Sequence, residues 1–247
     1  MQENSPDIFE EWVLYNKILK NDYMFHSEIF TKIQKTLDSK LNGRDYSLLD
    51  IGCGEAFGIN KYLSNTNLRN YYGIDNSETA LSWAEKNLAT KNIKYFLLKS
   101  DFLKSLEIIN DEFDVFLAGY SIHHLKTFKE KKDILHKFIE KLPNGGIFIL
   151  FDLIKKDEET LEEYHARYIQ NCKENWDSIN LNELEKITHH IENNDYPLTL
   201  EKWREVFLSS QSDLTPISID TKNQYYVLMI FQKNREKYFE SRQVSSN

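Results

Sequence analysis

The sequence predicts an α/β protein built on a doubly wound, mostly parallel sheet. Three observations carry this. From about residue 44 to residue 154, short apolar runs that read as buried strands alternate with segments of helical periodicity. The first run, Leu48-Leu49-Asp50-Ile51, closes on Gly52-Cys53-Gly54-Glu55-Ala56-Phe57-Gly58, a glycine loop that opens a helix. A second run, Tyr71-Tyr72-Gly73-Ile74-Asp75, ends on an acid about 20 residues further on, where nucleotide-binding sheets carry a ribose-binding carboxylate.

The remaining elements follow in order. Glycine in the first loop permits a tight turn and lets a ligand approach the backbone, and the next helix points its free N–H groups at the same place. The spacing argues against two common phosphate loops. A dinucleotide fingerprint needs glycine where Phe57 stands, and a P-loop needs a longer spacing and a lysine. Asn76-Ser77-Glu78 reads as a helix start with Ser77 as N-cap. Ile93–Leu98 reads as the third strand, leading to Lys99-Ser100-Asp101-Phe102, and Phe113–Tyr120 as the fourth. The turn Leu142-Pro143-Asn144-Gly145-Gly146 feeds a fifth strand, Ile147–Phe151.

Asp50, Gly52 and Gly54 match the first motif of the class I S-adenosylmethionine-dependent methyltransferases, D-x-G-x-G-x-G, with Ala56 in place of the third glycine. The later segments are similar to the family's other motifs, in order and at the right separation. The chain therefore resembles that family, closely over residues 44–154 and loosely elsewhere. The resemblance implies a Rossmann-like seven-stranded sheet of order 3-2-1-4-5-7-6 and S-adenosylmethionine as cofactor, with S-adenosylhomocysteine as product. It implies that Gly52 and Gly54 lie against the methionine part and that Asp50 holds the loop and the amino group. Asp75 would take the ribose hydroxyls and Asp101 the adenine amine, with Ile74 and Phe102 near the base. Gly119 and Tyr120 would sit beside the sulfonium. Plainer readings stand beside these. Asp50 and Asp75 could only cap helix N-termini, Phe102 could be core, and Cys53 reads as a small apolar filler.

Composition bounds the class. At 247 residues the chain can form one three-layer domain with additions. It has no apolar run long enough for a membrane helix. Met1–Asp7 is polar and acidic, unlike a signal peptide. Two cysteines, Cys53 and Cys172, make neither a disulfide framework nor metal spacing, so a cytoplasmic location is expected. A net charge of −8 disfavours a nucleic-acid partner, which needs a cationic track. The lysines of Lys126–Lys132 and Lys155–Glu163 alternate with acids and read as solvated helix faces.

The ends of the chain are expected to build the acceptor pocket. Ile8, Trp12, Tyr15 and Leu19, then His26, Phe30, Ile33, Leu37 and Leu41, mark two amphipathic helices meeting near Asp22. Residues 1–43 are read as a lid, and residues 44–232 as the main domain. That domain includes a helical cap, 155–197, rich in Tyr164, His165, Tyr168, Trp176, His189 and His190. The last two strands lie near Thr215–Asp220 and Gln224–Phe231, and the tail 233–247 is polar.

Methyl transfer is an in-line displacement, so alignment supplies much of the rate, and a base helps when the acceptor is protonated. His123 and His124 follow the fourth strand and are the catalytic candidates, His123 being nearer the strand end. Tyr15, His26, Tyr168 and His190 are further candidates for substrate contact, each also readable as structural. The metal-dependent catechol-type pattern needs an acid after the fourth strand, where Gly119-Tyr120 stand, and Asp-Asn after the fifth, where Asp152-Leu153 stand, so no metal is implied. The expected function is methyl transfer to O or N of a small-molecule acceptor, by a monomer or homodimer. A macromolecular acceptor, protein or RNA, and a non-catalytic cofactor-binding domain are the alternatives.

Overall fold

The computed structural model describes residues 12–109, 111–208 and 213–234. Ile8 and residues 235–247 of the expected tail lie outside them.

Two helices come first, α1 (Trp12–Lys20) and α2 (His26–Leu41). Asp22 and Phe25, at the turn between them, have left-handed backbones. The Asp22 carboxylate accepts the Ser27 N–H at 2.9 Å and fixes the start of α2. On α2, His26, Ile29, Phe30, Ile33, Leu37 and Leu41 are buried, the stripe expected from the 3.6-residue period.

The sheet then begins with β1 (Tyr46–Ile51), and β2 (Leu68–Asp75) and β3 (Lys94–Lys99) pair outward from it in parallel. A five-residue π-helical turn, Ile59–Leu63, stands after the glycine loop. β4 (Val115–Gly119) and β5 (Ile147–Lys155) extend the sheet the other way, also in parallel. β7 (Leu214–Lys222) and β8 (Tyr226–Lys233) form an antiparallel hairpin, and β8 docks on β5. The order is β3-β2-β1-β4-β5-β8-β7. This is the expected order, with one addition: a two-residue strand, β6 (Leu198–Thr199), beside the end of β5.

Successive side chains on a strand face opposite sides, and the two halves of the core follow that rule. Val115, Leu117, Ile147 and Ile149 pack on the face covered by α1, α2, α3 (Glu78–Leu88), α6 (Leu161–Asn175) and α7 (Leu181–Asn194). Phe116, Ala118, Phe148 and Leu150 pack on the face covered by α4 (Phe102–Ile108), α5 (Phe128–Lys141) and α8 (Leu200–Phe207). Burial on both faces explains why β4 and the first five residues of β5 are apolar.

The helix starts are written locally. Ser77, Asp101 and Thr199 each accept the N–H three residues on with a side-chain oxygen. Thr127 with Glu130, Thr160 with Glu163 and Asn180 with Glu183 form capping boxes. These caps fix where α3 leaves β2 and where α6 and α7 begin, and so fix the walls described next.

Candidate active site

A cavity of about 480 Å³ opens at the C-terminal edge of the sheet, beside β1, β2 and β4. Open parallel sheets bind ligands at that edge, and the volume suits a small molecule. The glycine loop 52–58 forms one wall. Asp75, Asn76, Asp101 and Phe102 bound one end, and Tyr120, His124 and Phe151 the other. Tyr15 of α1, His26 and Phe30 of α2, and His190 and Asn194 of α7 also line it. Four carboxylates, on Asp50, Glu55, Asp75 and Asp101, reach the cavity, and among the described residues no lysine or arginine lines it.

The loop turns by left-handed backbone at Gly52 (φ 75°), Gly54 (φ 53°) and Ala56 (φ 54°). The two glycines differ in kind. A Cβ on Gly52 would meet Ser121 Cβ at 2.4 Å, so the protein's own packing requires that glycine. A Cβ on Gly54 would meet nothing within 4 Å, which leaves a bare stretch of backbone on the cavity wall. Ala56 adopts the same backbone without glycine's freedom, a conformation that costs an L-residue roughly 1–2 kcal/mol.

Asp75 ties the loop to the next helix. Its Oδ2 accepts the Gly54 N–H and its Oδ1 accepts the Ser77 N–H, each at 2.9 Å. Asp101 caps α4 through the Lys104 N–H at 2.9 Å, with Phe102 beside it on the cavity wall. Ile74 is fully buried in the sheet core and does not line the cavity. Asp50 accepts the Tyr71 hydroxyl at 2.9 Å, and burial raises its carboxyl from 3.8 to about 7. Burial likewise raises Glu55 from 4.5 to about 7.

At the other end, the space a side chain on Gly119 would need is filled by Phe151, whose ring lies 2.1 Å from the ideal Cβ position. Tyr120 follows with φ 47° and donates its hydroxyl to the Met24 carbonyl at 2.6 Å. Its ring stands edge-on to His26 and Phe151, with centroids 5.2 and 5.0 Å away. His26 Nδ1 is buried and has no hydrogen-bond partner among the described residues. Burial lowers its imidazole to about 4, so the ring is neutral.

The structure reverses the expected placement of the histidine pair. His123, on the 3₁₀ turn Ile122–His124, points away from the cavity into the protein, its Nδ1 2.5 Å from Asp152 Oδ1. Burial opposes its charge, but Asp152 and Asp195 outweigh that and hold it up at about 9. His124 lines the cavity with His190. Burial, then the neighbouring His123 charge, pushes His124 down to about 3. Tyr168 does not line the cavity: it is buried core, its hydroxyl 3.0 Å from that of Tyr226.

Composition conceals one participant. Lys131 is fully buried, not part of a solvated face. Its ammonium donates to the carbonyls of Ile122, His123 and Leu125, and so clamps the turn that carries both histidines. A lysine at i+8 from His123 in a charged run gives no sequence signal of this. Asp195, close to that turn, is a second residue the sequence did not single out.

An α/β sheet of this order, with a bare glycine loop and a carboxylate at the end of β2, defines a nucleotide-cofactor enzyme of the methyltransferase class. The comparisons agree. Residues 42–229 match the family model for a methyltransferase domain (Methyltransf_31), and the chain belongs to that family. An uncharacterized methyltransferase of Bacillus cytotoxicus is 27% identical over 157 residues, 63% of this chain and 70% of that protein. A Bacillus anthracis counterpart gives the same figures. Among solved structures, the plantazolicin methyltransferase BpumL in complex with SAH aligns with a TM-score of 0.67 at 17% identity, covering 93% of this chain and 92% of its own. Magnesium protoporphyrin IX methyltransferase from Synechocystis, with bound SAM, aligns with a TM-score of 0.57 at 13% identity, covering 88% and 84%.

The cofactor of the family is S-adenosylmethionine, and the cavity fits it. Gly54 offers bare backbone, and Asp75 and Asp101 offer acceptors for hydroxyls and an amine. Asp50 and Glu55 are buried acids on a wall where no described lysine or arginine stands, which suits a cationic ligand.

Two predictions follow from this wall. Gly54→Ala is expected to lose only the roughly 1–2 kcal/mol of left-handed strain while weakening cofactor binding by calorimetry at least tenfold. Gly52→Ala should unfold at a markedly lower temperature, because Ser121 must move. Equal cofactor affinity in Gly54→Ala and wild type would count against contact at Gly54. The second concerns pH. Asp50 rises from 3.8 unfolded to about 7 folded, so its stabilising contribution is full below 3.8 and is lost as pH rises to about 7. The thermal midpoint of Asp50→Asn should therefore fall less between pH 5 and 8 than that of wild type, measured by calorimetry without cofactor.

Proposed function

We propose that this chain transfers a methyl group from S-adenosylmethionine to an oxygen or nitrogen atom of a small molecule. The observation that carries the reading is that one cavity joins two unlike sets of residues. Carboxylates and bare backbone line the end beside β1 and β2; aromatic and imidazole rings line the end beside β4 and α2. Bound S-adenosylmethionine supplies an electrophilic methyl on a sulfonium. Gly54, Asp75, Asp101 and Phe102 would hold that cofactor, and Asp50 and Glu55 would face its charge.

The acceptor would lie between His26, Tyr120 and Phe151 on one side and His124 and His190 on the other. Helices α1, α2 and α7 contribute to the walls there, which supports a small acceptor over a macromolecular one, and residues 12–43 fit the lid role. Among the described residues no lysine or arginine lines the cavity, so an anionic acceptor group would find no cationic partner there. In this reading His26 is the acceptor-facing base. It is neutral, and its ring lines the cavity edge-on to Tyr120. His123 acts through others, as a positioning residue.

Purified protein incubated with methyl-labelled cofactor and a metabolite extract should place label in the small-molecule fraction. Label confined to protein or RNA would overturn the reading. Once the acceptor is isolated, His26→Asn should lower turnover roughly 10²–10⁴-fold with unchanged cofactor affinity. Because the neutral ring is the base and its folded value is about 4, wild-type turnover should hold as pH falls through 6.5 and drop only near 4. A His26-dependent limb near 6.5 would contradict the assignment.

A further inference from the structure

Behind the acceptor end of the cavity, residues from two distant parts of the chain converge on one oxygen. Asp195 follows α7 and is buried, and its Oδ1 has no hydrogen-bond partner among the described residues. Three imidazole nitrogens surround that oxygen: His190 Nε2 at 3.4 Å, His123 Nε2 at 3.5 Å and His124 Nδ1 at 3.8 Å. Charge-assisted N–H···O bonds close to about 2.7–2.9 Å, and none of these does.

The spacing fits a different arrangement. With metal–ligand bonds of about 2.0–2.2 Å, the edge of a coordination tetrahedron is roughly 3.3–3.6 Å. One ligand atom from each of His123, His124 and Asp195 can be chosen so that all three lie within 4.8 Å of one another. His124 Nδ1 donates to the Asn194 carbonyl at 3.1 Å, so Nε2 is the nitrogen of that ring with a lone pair for an ion.

The surroundings also match. A metal-bound histidine characteristically donates its other ring N–H to a carboxylate. His123 does this toward Asp152, whose Oδ2 also accepts the His123 backbone N–H at 3.0 Å. Asp195 is braced by His165 Nε2, which donates to its backbone carbonyl at 2.8 Å. Lys131 and the Tyr196 N–H hold the His123 carbonyl, so the turn cannot drift.

We infer that His123, His124 and Asp195 form a mononuclear site for a divalent cation of the zinc class, with its fourth position open toward the acceptor end of the cavity. Two histidines and a carboxylate are the ligand set of catalytic rather than structural zinc, because three protein ligands leave room for an exogenous atom. His124 belongs to both the site and the cavity wall, which gives the open position its direction. Resting on the small-molecule reading above, the site would select acceptors whose oxygen or nitrogen carries a free lone pair for the ion. The catechol-type acid pattern has no bearing on this set, whose ligands come from the turn after β4 and the end of α7.

The test is metal content and cobalt spectroscopy. Full-length protein, stripped with chelator and then dialysed against micromolar zinc, should retain one zinc per chain by mass spectrometry. Its thermal midpoint should rise with zinc and stay unchanged with magnesium. Cobalt(II) should give intense visible bands of a four-coordinate site, lost in Asp195→Asn and in His124→Ala. Wild-type protein that holds less than a tenth of an equivalent, with no zinc-dependent shift in midpoint, overturns the proposal, whether or not the variants fold. Zinc retained without methyl transfer to small molecules would refute the functional reading and leave the site standing. Methyl transfer by chelator-stripped, zinc-free protein at the full rate would remove any role for the ion in the reaction.

Discussion

Phe151 occupies the volume that a side chain at residue 119 would need, and the site is organised around that substitution of one group for another. Because residue 119 is glycine, β5 can lay an aromatic ring across the end of β4. The chain must then turn sharply, and Tyr120 does so with a left-handed backbone. That turn aims the Tyr120 hydroxyl at the Met24 carbonyl and its ring at His26, which ties the α1–α2 junction to the sheet. One residue on, Ser121 Oγ donates to the Ile51 carbonyl at 2.8 Å and presses against Gly52. The glycine loop, the N-terminal helices and the histidine turn thus share a single anchor. Strained residues persist where surrounding contacts over-determine them, and Tyr120 is held from three sides.

Beneath the turn lies a second constraint. Lys131, His123, Asp152 and Asp195 bring four ionisable groups into the interior. Unpaired, each would be expensive to desolvate. Lys131 is met by three carbonyls and His123 Nδ1 by Asp152, while Asp195 lies at ion-pair distance from His123 and His190, so the charges are balanced only as a group. The same pairing explains the opposite behaviour of adjacent histidines. His123 faces two acids, while burial and then the charge on His123 act on His124, so one is driven toward charge and the other away from it.

The roof over the cavity is stitched by contacts between the chain's early and late helices. The Lys17 ammonium meets Glu183 at 2.7 Å, joining α1 to α7. Tyr23 stacks on Trp176 at 5.0 Å between centroids, and its hydroxyl lies 2.7 Å from Ser178 Oγ. These pairs are partly exposed and modest in energy. They fix which rings reach the acceptor end and leave the sheet beneath to hold the cofactor end.

Local patterning determined much of this protein. Strand alternation, the acid ending β2, Ser77 as a cap and the apolar stripe of α2 each depend on a few neighbouring residues. The sheet order followed from them, with only the two-residue β6 unannounced. Asp50, Gly52, Gly54, Asp75, Asp101 and Phe102 could be placed at one edge because the strand–loop–helix unit places them by itself. Tertiary structure decided what depends on parity and on distant partners. Whether His123 or His124 faces the cavity turns on a 3₁₀ turn clamped by Lys131. Ile74 sits in the core and not on the wall because β2 is covered on both faces there. Tyr168 went to the core because Tyr226 lies opposite it. Asp195 carries no motif, and its importance arises only where α7 ends beside the turn after β4, some 70 residues away in sequence. Spacing along a chain fixes periodic faces, but the convergence of single side chains from separate elements depends on how those elements pack.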